Sequence, residues 1–494
     1  MISAYNSILI ALTYLIIAEW RYKERKPMRV LQDVTPRPEQ IKIVQFQEPG
    51  VVVIKGAAGS GKTTTALLRL RVLAASFENR RERYGDDTPV RILVLTYNRT
   101  LKGYIEALAT AHTPDGTNSI YDIRTFSNWA VEQLNYPKIV DDDEVRAKIN
   151  ELACKMDLEP AFVADEVEYV LGRFPTSDLD QYLTTERTGR GLSPRMDQAR
   201  RQALLDNVIH PFNQWKKSNN ELDWNDLAEQ LSNFPHITKY DIIIADEAQD
   251  FSANQLRAIS KALAEEYSLT FVLDTAQRIY ARGFTWKEAG ISVSPEHSHR
   301  LNKNYRNTSQ IARFAAPLLE GISIDDDGSI PNFETCKRNG PLPVVVTGYY
   351  NQQVSYAINF IKEKVDLRVE TVGILHVRGG GVFNYIRQQF NQNELENVTI
   401  TRRSEWPDGP ENIAFCTMHS AKGLEFDHVF ILGLSEEFTP HGTEADDDRL
   451  TSLRRLLAMG IGRSRSTVTI GYKPGEESIL VKYFDPKTFE KIEL

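Results

Sequence analysis

An apolar run at residues 51–54 leads straight into GAAGSGKT at 56–63, and a helix-forming stretch, 64–74, follows at once. A buried strand that turns through a glycine-rich loop into a helix leaves few folds open, because strand and helix must pack as a βα unit for the loop to close. Backbone N–H groups then converge at a helix N-terminus, where the helix dipole adds to their preference for phosphate. The match to GxxxxGK[ST] marks Gly56, Ala57, Ala58, Gly59, Ser60, Gly61, Lys62, Thr63 and Thr64 as candidate ATP-binding residues. The glycines let the backbone approach, Lys62 sets a point charge on the outer phosphates, and Thr63 offers a hydroxyl to Mg2+. A plain glycine turn is the competing reading.

Eight more apolar runs follow the same design, at 92–95, 242–245, 271–273, 344–346, 372–375, 413–416, 429–432 and 468–470, with longer amphipathic stretches between them. Strands without a polar face are buried on both sides, so the pattern predicts an α/β fold of parallel sheets covered by helices. Nine such strands suit two sheets better than one, with the break at 291–298. Residues 136–222 read as helices inserted into the first sheet domain. The domain reading is therefore an N-terminal apolar and basic segment at 1–30, a first domain at 31–135 and 223–292 around the insertion, and a second domain at 293–494.

Composition limits the partners. With 59 Lys and Arg against 67 Asp and Glu, the net charge of -8 excludes a protein that coats a polyanion by bulk charge, so a nucleic acid would have to meet a local basic groove. Arg187, Arg190, Arg195, Arg200 and Arg201 could line one, or form a solvated face. Cys154, Cys336 and Cys416 lie far apart with no metal-ligand spacing, which favours a reducing compartment, the cytoplasm. The acidic triplets at 141–143, 325–327 and 446–448 read as exposed loops. Residues 8–18 are largely apolar and precede Arg21, Lys23, Arg25 and Lys26. The stretch is short for a bilayer span; a membrane anchor, a core helix and sequence ahead of a start near Met28 all remain open.

ADEAQD at 245–250 supplies the second half of a nucleotide site. Asp246 and Glu247 stand at the end of the run 242–245, where an open α/β sheet presents ligand-binding groups. Asp246 is placed to hold Mg2+ and Glu247 to orient or deprotonate the attacking water.

Read in order, PEQ at 38–40, the phosphate loop, LTYN at 95–98, RTFS at 124–127, DEAQD, DTAQRIY at 274–280, LNKNYRN at 301–307, TMHSAKGLEF at 417–426 and GIGRSRS at 460–466 resemble the superfamily 1 UvrD/Rep/PcrA-like DNA helicases, from about residue 36 to 472. The resemblance implies two RecA-like domains and an ATP-driven motor on single-stranded DNA or a tailed duplex, with 3′ to 5′ polarity. By that likeness Gln40 reads the adenine edge, Tyr305 stacks on its ring, and Glu425 contacts ribose. Gln277 senses the γ-phosphate, while Arg306 and Arg463 are arginine fingers from the second domain. The matching DNA positions are Tyr97, Asn98, Phe126, Tyr280 and His419, with Trp286 a looser candidate; for Phe126, core packing is the equal alternative.

Three departures limit the likeness. ARGFTW follows Tyr280 where relatives place Gly-Trp-Arg-Gly, and RTFS replaces TFH. Only residues 379–412 stand where relatives insert a large regulatory subdomain. A motor without that arm could translocate without unwinding well, or act as a DNA-sensing ATPase subunit for a partner nuclease.

Overall fold

The computed structural model describes residues 36–56, 60–96, 118–187, 194–273, 288–301, 306–322, 336, 338–401, 404, 411–442 and 447–494. The N-terminal apolar segment falls outside these residues. No helix among them is long and apolar enough to cross a membrane.

Two parallel sheets organise the chain. The first contains β1 (Gly50–Gly56), β2 (Val90–Thr96), β3 (Ser119–Thr125), β4 (Tyr240–Ala245), β5 (Leu263–Leu273) and β6 (Ser298–Leu301), in the order β3-β2-β4-β5-β1-β6. The second contains β7 (Val344–Thr347), β8 (Val372–His376), β9 (Val398–Ile400), β10 (Ile413–Thr417), β11 (Phe426–Ile431), β12 (Ser464–Tyr472) and β13 (Glu490–Glu493), in the order β13-β7-β12-β11-β8-β10-β9.

Alternation along each strand explains the continuous apolar runs. In the first sheet Val52, Ile54, Ile92, Val94, Ile242 and Ile244 face one way, onto Leu67, Leu70, Leu73 and Phe77 of the helix Lys62–Tyr84. Val51, Val53, Leu93, Leu95, Ile243 and Ala245 face the other, onto Leu227 and Leu231 of Trp224–Asn233 and Leu256 and Ile259 of Ala253–Lys261. The second sheet repeats the scheme: Val345, Cys416, Val429, Ile431 and Ile470 pack with the helix Asp448–Ile461, and Ile374, Phe415 and Phe430 with Tyr350–Lys364 and Val382–Gln392. Each fully buried aliphatic side chain contributes roughly 1.5–3 kcal/mol, so both faces must be covered for such a sheet to form.

The structure moves one expected boundary. β6 lies beyond the break read at 292, yet it pairs with β1 from Val53↔Ser298 to Gly56↔Leu301, so the first sheet continues to Leu301. Ser-His-Arg-Leu shows no apolar run because an edge strand is covered from one side only.

The inserted helices close on a core of their own, with Phe162, Val167, Val170, Leu204, Leu205, Val208 and Phe212 at its centre. Within it the arginine cluster divides: Arg195 is exposed and Arg200 donates to its carbonyl at 2.9 Å on the solvated side, while Arg187 and Arg201 turn inward. Arg187 donates to the fully buried Glu166 at 2.7 Å, and Arg201 donates to the carbonyls of Tyr182 and Thr185, both at 2.8 Å. These two guanidinium groups bind interior acceptors instead of an open phosphate groove. Arg190 lies outside the described residues. Asn254 ties the insertion to the first domain through the carbonyls of Leu171 (2.8 Å) and Phe174 (3.1 Å).

The short interval between β8 and β10 holds the helix Val382–Gln392 and the edge strand β9. Of the acidic triplets, Asp141 and Asp447 act as helix N-caps. Among the described residues no cluster of acidic, His and Cys side chains is arranged to hold a metal.

Candidate nucleotide-hydrolysis site

The phosphate loop leaves β1 and enters the helix Lys62–Tyr84 through Gly61, which is left-handed at φ 79°. A Cβ there would sit 2.6 Å from Gln40 Nε2, so only glycine fits. Gly56 is as constrained: its Cβ would meet Ser60 Oγ at 2.6 Å and the Leu301 carbonyl at 2.8 Å. Gln40 is buried against this loop, its amide aimed at the carbonyls of Ser60 and Gly61 and its Oε1 accepting from Arg37 N at 2.8 Å. Ala57, Ala58 and Gly59 lie outside the described residues.

β4 and β1 flank β5, which brings the ends of both to one pole of the sheet. There the Thr63 hydroxyl donates to Asp246 Oδ2 at 3.0 Å and Oδ1 at 3.2 Å. Asp246 N is held by Leu95 O at 2.9 Å, and Glu247 takes the left-handed conformation at φ 52° as the chain turns out of the strand. The two carboxylates have opposite characters. Burial, then the neighbouring Glu247 charge, pushes Asp246 above the usual carboxylate range. Burial also acts on Glu247, but Lys422, Arg463, Lys62 and the Gln249 amide outweigh it and hold the carboxyl low.

These residues suit a nucleotide with a hard cation. Thr63 and Asp246 form an all-oxygen donor set, and Ser60 Oγ is a buried hydroxyl without a hydrogen-bond partner among the described residues, beside a helix N-terminus.

The second sheet presents its N-terminal pole. Glu425 directly precedes β11 and Arg463 directly precedes β12, and Phe426 N donates to Arg463 O at 2.9 Å. Arg306 ion-pairs with Glu425; burial pushes that carboxyl up, but Arg306, then Arg465 and Arg463, hold it below its usual range. Arg463 is 2% exposed, and its charge acts on both Glu247 and Glu425.

Sequence reading missed three groups here. Asn307 donates to the carbonyls of Gly462 (3.1 Å) and Ser464 (2.5 Å), fastening the Arg306 segment to the Arg463 segment. Lys422 ion-pairs with Asp250 and lies 3.5 Å from Glu247, joining the two domains. Lys422 and Asp250 are both inside quoted motifs, so their signal was a charge of each sign left without a role.

Other candidates fall elsewhere. Phe126 is 4% exposed and packs edge-on against Trp129, centroids 5.6 Å apart, which is the core role and not an open stacking face. His419 is half-buried just past the end of β10. Tyr97, Asn98, Gln277, Tyr280, Trp286 and Tyr305 lie outside the described residues. Thr64 lies in the first turn of the helix behind the loop.

Comparisons with known proteins agree with this arrangement. The family model described as UvrD/REP helicase N-terminal domain matches residues 37–300, and that described as UvrD-like helicase C-terminal domain matches residues 400–474. The chain is 23% identical over 557 aligned positions to the ATP-dependent DNA helicase UvrD2 of Mycobacterium tuberculosis, covering 86% of this chain and 76% of the relative. It is 22% identical over 309 positions to a probable DNA helicase of Mycoplasma pneumoniae, covering 58% and 55%. Over 101 positions it is 31% identical to the ATP-dependent DNA helicase Rep of Salmonella typhimurium, covering 18% and 15%. Against these last two, the chain spans less than two thirds of the relative's length.

Proposed function

Because the chain belongs to the UvrD/REP helicase family, we propose that it is an ATP-driven translocase and helicase on single-stranded DNA, running 3′ to 5′. The observation that supports this most is that the carboxylates at the pole of the first sheet face basic side chains of the second, with Glu247 3.5 Å from Lys422. Hydrolysis at such a cleft depends on both domains, which is what a motor requires.

In this reading Gly56 and the loop after it cradle the phosphates, with Lys62 on the outer ones. Thr63 and Asp246 would hold Mg2+, which would neutralise charge on the phosphate oxygens. Glu247, kept ionised by its cationic neighbours, accepts the proton of the attacking water as that oxygen bonds to the γ-phosphorus and the bridging oxygen leaves. Arg306 and Arg463 bring charge from the second domain, and Gln277 reports the γ-phosphate to the DNA path at Tyr97, Asn98, Tyr280 and His419. A cytoplasmic role in DNA repair, recombination or phage defence fits such a motor.

ATPase rates without nucleic acid, with single-stranded DNA and with RNA test the reading. Strong stimulation by DNA supports it, and indifference to DNA sinks it. The short stretch between β8 and β10 favours a second reading, a DNA-sensing ATPase that regulates a partner nuclease. DNA-stimulated hydrolysis with no strand displacement on a 3′-tailed duplex selects that alternative.

A further inference from the structure

Lys422 is 2% exposed, an unusual position for an ammonium, whose removal from water is unfavourable unless carboxylates compensate. It stands on a stiff turn after β10. Ser420 N and Ala421 N donate to Thr417 at 3.0 and 2.9 Å, Leu424 N donates to Ala421 O at 3.0 Å, and Met418, Ala421 and Leu424 anchor the turn in the core of the second domain. From there Nζ reaches two carboxylates of the first domain, Asp250, which is fully buried, and Glu247.

Which oxygen it approaches is informative. Lys422 Nζ lies 3.5 Å from Glu247 Oε2, and Gln249 Nε2 donates to the same Oε2 at 2.5 Å. The shortest approach of each is to Oε2 and not to Oε1. A carboxylate pinned by one oxygen from both sides offers the other in a fixed direction, which is the requirement for a base that must line up one water. Asp250 steadies the arrangement: it ion-pairs with Lys422, and Asp250 N donates to Glu247 O at 2.9 Å.

We propose that Lys422 is a positioning residue for ATP hydrolysis: arriving from the second domain, it pins Glu247 Oε2 and so aims Oε1 at the attacking water only when the cleft is closed. The inference rests on the functional reading above. It adds a second dependence on closure, through alignment of the base, to the charge that Arg306 and Arg463 bring.

The test uses the full chain with Mg-ATP and saturating single-stranded DNA, comparing Lys422→Met, Lys422→Arg and Asp250→Asn with wild type. Lys422→Met is expected to lower kcat by about 100-fold while KM for ATP stays within about threefold, and Lys422→Arg to recover at least about tenfold of that loss. Asp250→Asn, which keeps the cation but loosens it, falls between. A kcat within about threefold of wild type in Lys422→Met, a loss confined to KM, or a loss that Lys422→Arg leaves untouched overturns the proposal. Should Lys422→Met fail to fold, the order wild type, Lys422→Arg, Asp250→Asn in kcat decides it. A wild-type protein that does not hydrolyse ATP refutes the functional reading instead.

Discussion

The Thr63 hydroxyl donates to both carboxylate oxygens of Asp246, at 3.0 and 3.2 Å, although the two residues stand 183 positions apart in the chain. Two strand ends flanking β5 bring them together. If this pair holds the cation, Asp246→Asn should raise the Mg2+ concentration for half-maximal ATPase by roughly 10–100-fold. A Mg2+ titration of the ATPase rate checks it; an unchanged midpoint refutes the assignment.

Glu247→Gln keeps the side chain's shape and its Gln249 neighbour while removing the proposed base. The kcat should fall by roughly 10³-fold with nucleotide affinity retained. Steady-state rates together with binding of a fluorescent nucleotide separate the two quantities, and full turnover in the variant would exclude Glu247 as the base.

Arg306 and Arg463 should behave differently when truncated. In the proposed roles either change removes charge from the transition state, with kcat expected to drop by about 10³-fold or more. Arg463 is also buried and approaches Met459 O at 3.3 Å, whereas Arg306 is partly exposed. Arg463→Ala should therefore lower the melting temperature as well, and Arg306→Ala much less; equal melting shifts would contradict the burial argument.

Phe126→Leu should reduce stability to denaturant but leave affinity for single-stranded DNA within about twofold. Loss of a stacked base, worth roughly 1–3 kcal/mol, would instead weaken binding by about fivefold or more. A fluorescence titration against an oligonucleotide distinguishes these outcomes.

A pH dependence should come from the helix Trp224–Asn233. Lys216 Nζ donates to Asp223 at 2.8 Å and Asp226 at 2.6 Å, yet burial and the Asp223 charge raise Asp226 to about 6. The folded protein then binds this proton more tightly than the unfolded chain does. Its stabilising contribution is complete below the ordinary value of 3.8 and is lost as pH rises through about 6. Melting temperatures of wild type and Asp226→Asn between pH 4 and 7 should diverge in slope; parallel curves would refute it.

The four strands that the sequence concealed, β3, β6, β9 and β13, are the outer strands of the two sheets. Inner strands are legible because both faces and both edges are covered, as in the all-buried Tyr240–Ala245. Ser298–Leu301 and Glu490–Glu493 carry polar residues, since one flank meets water, and their pairing is set by neighbours far away in the chain. The site divides in the same way. Gly61, Thr63 and Asp246 announce themselves by spacing, but whether an aromatic such as Phe126 lies open or buried is decided by Trp129 and Phe251 around it. The link from Lys422 to Asp250 depends on how one domain sits against the other, which no local pattern encodes.

The first sheet gives the cleft the ends of its strands, and the second gives it the beginnings of its own, at Glu425 and Arg463. Two similar sheets set face to face at matching poles would form a symmetric jaw, with interchangeable halves. Meeting head to tail, they give the cleft a front and a back: one half grips, the other completes, and the roles cannot be exchanged.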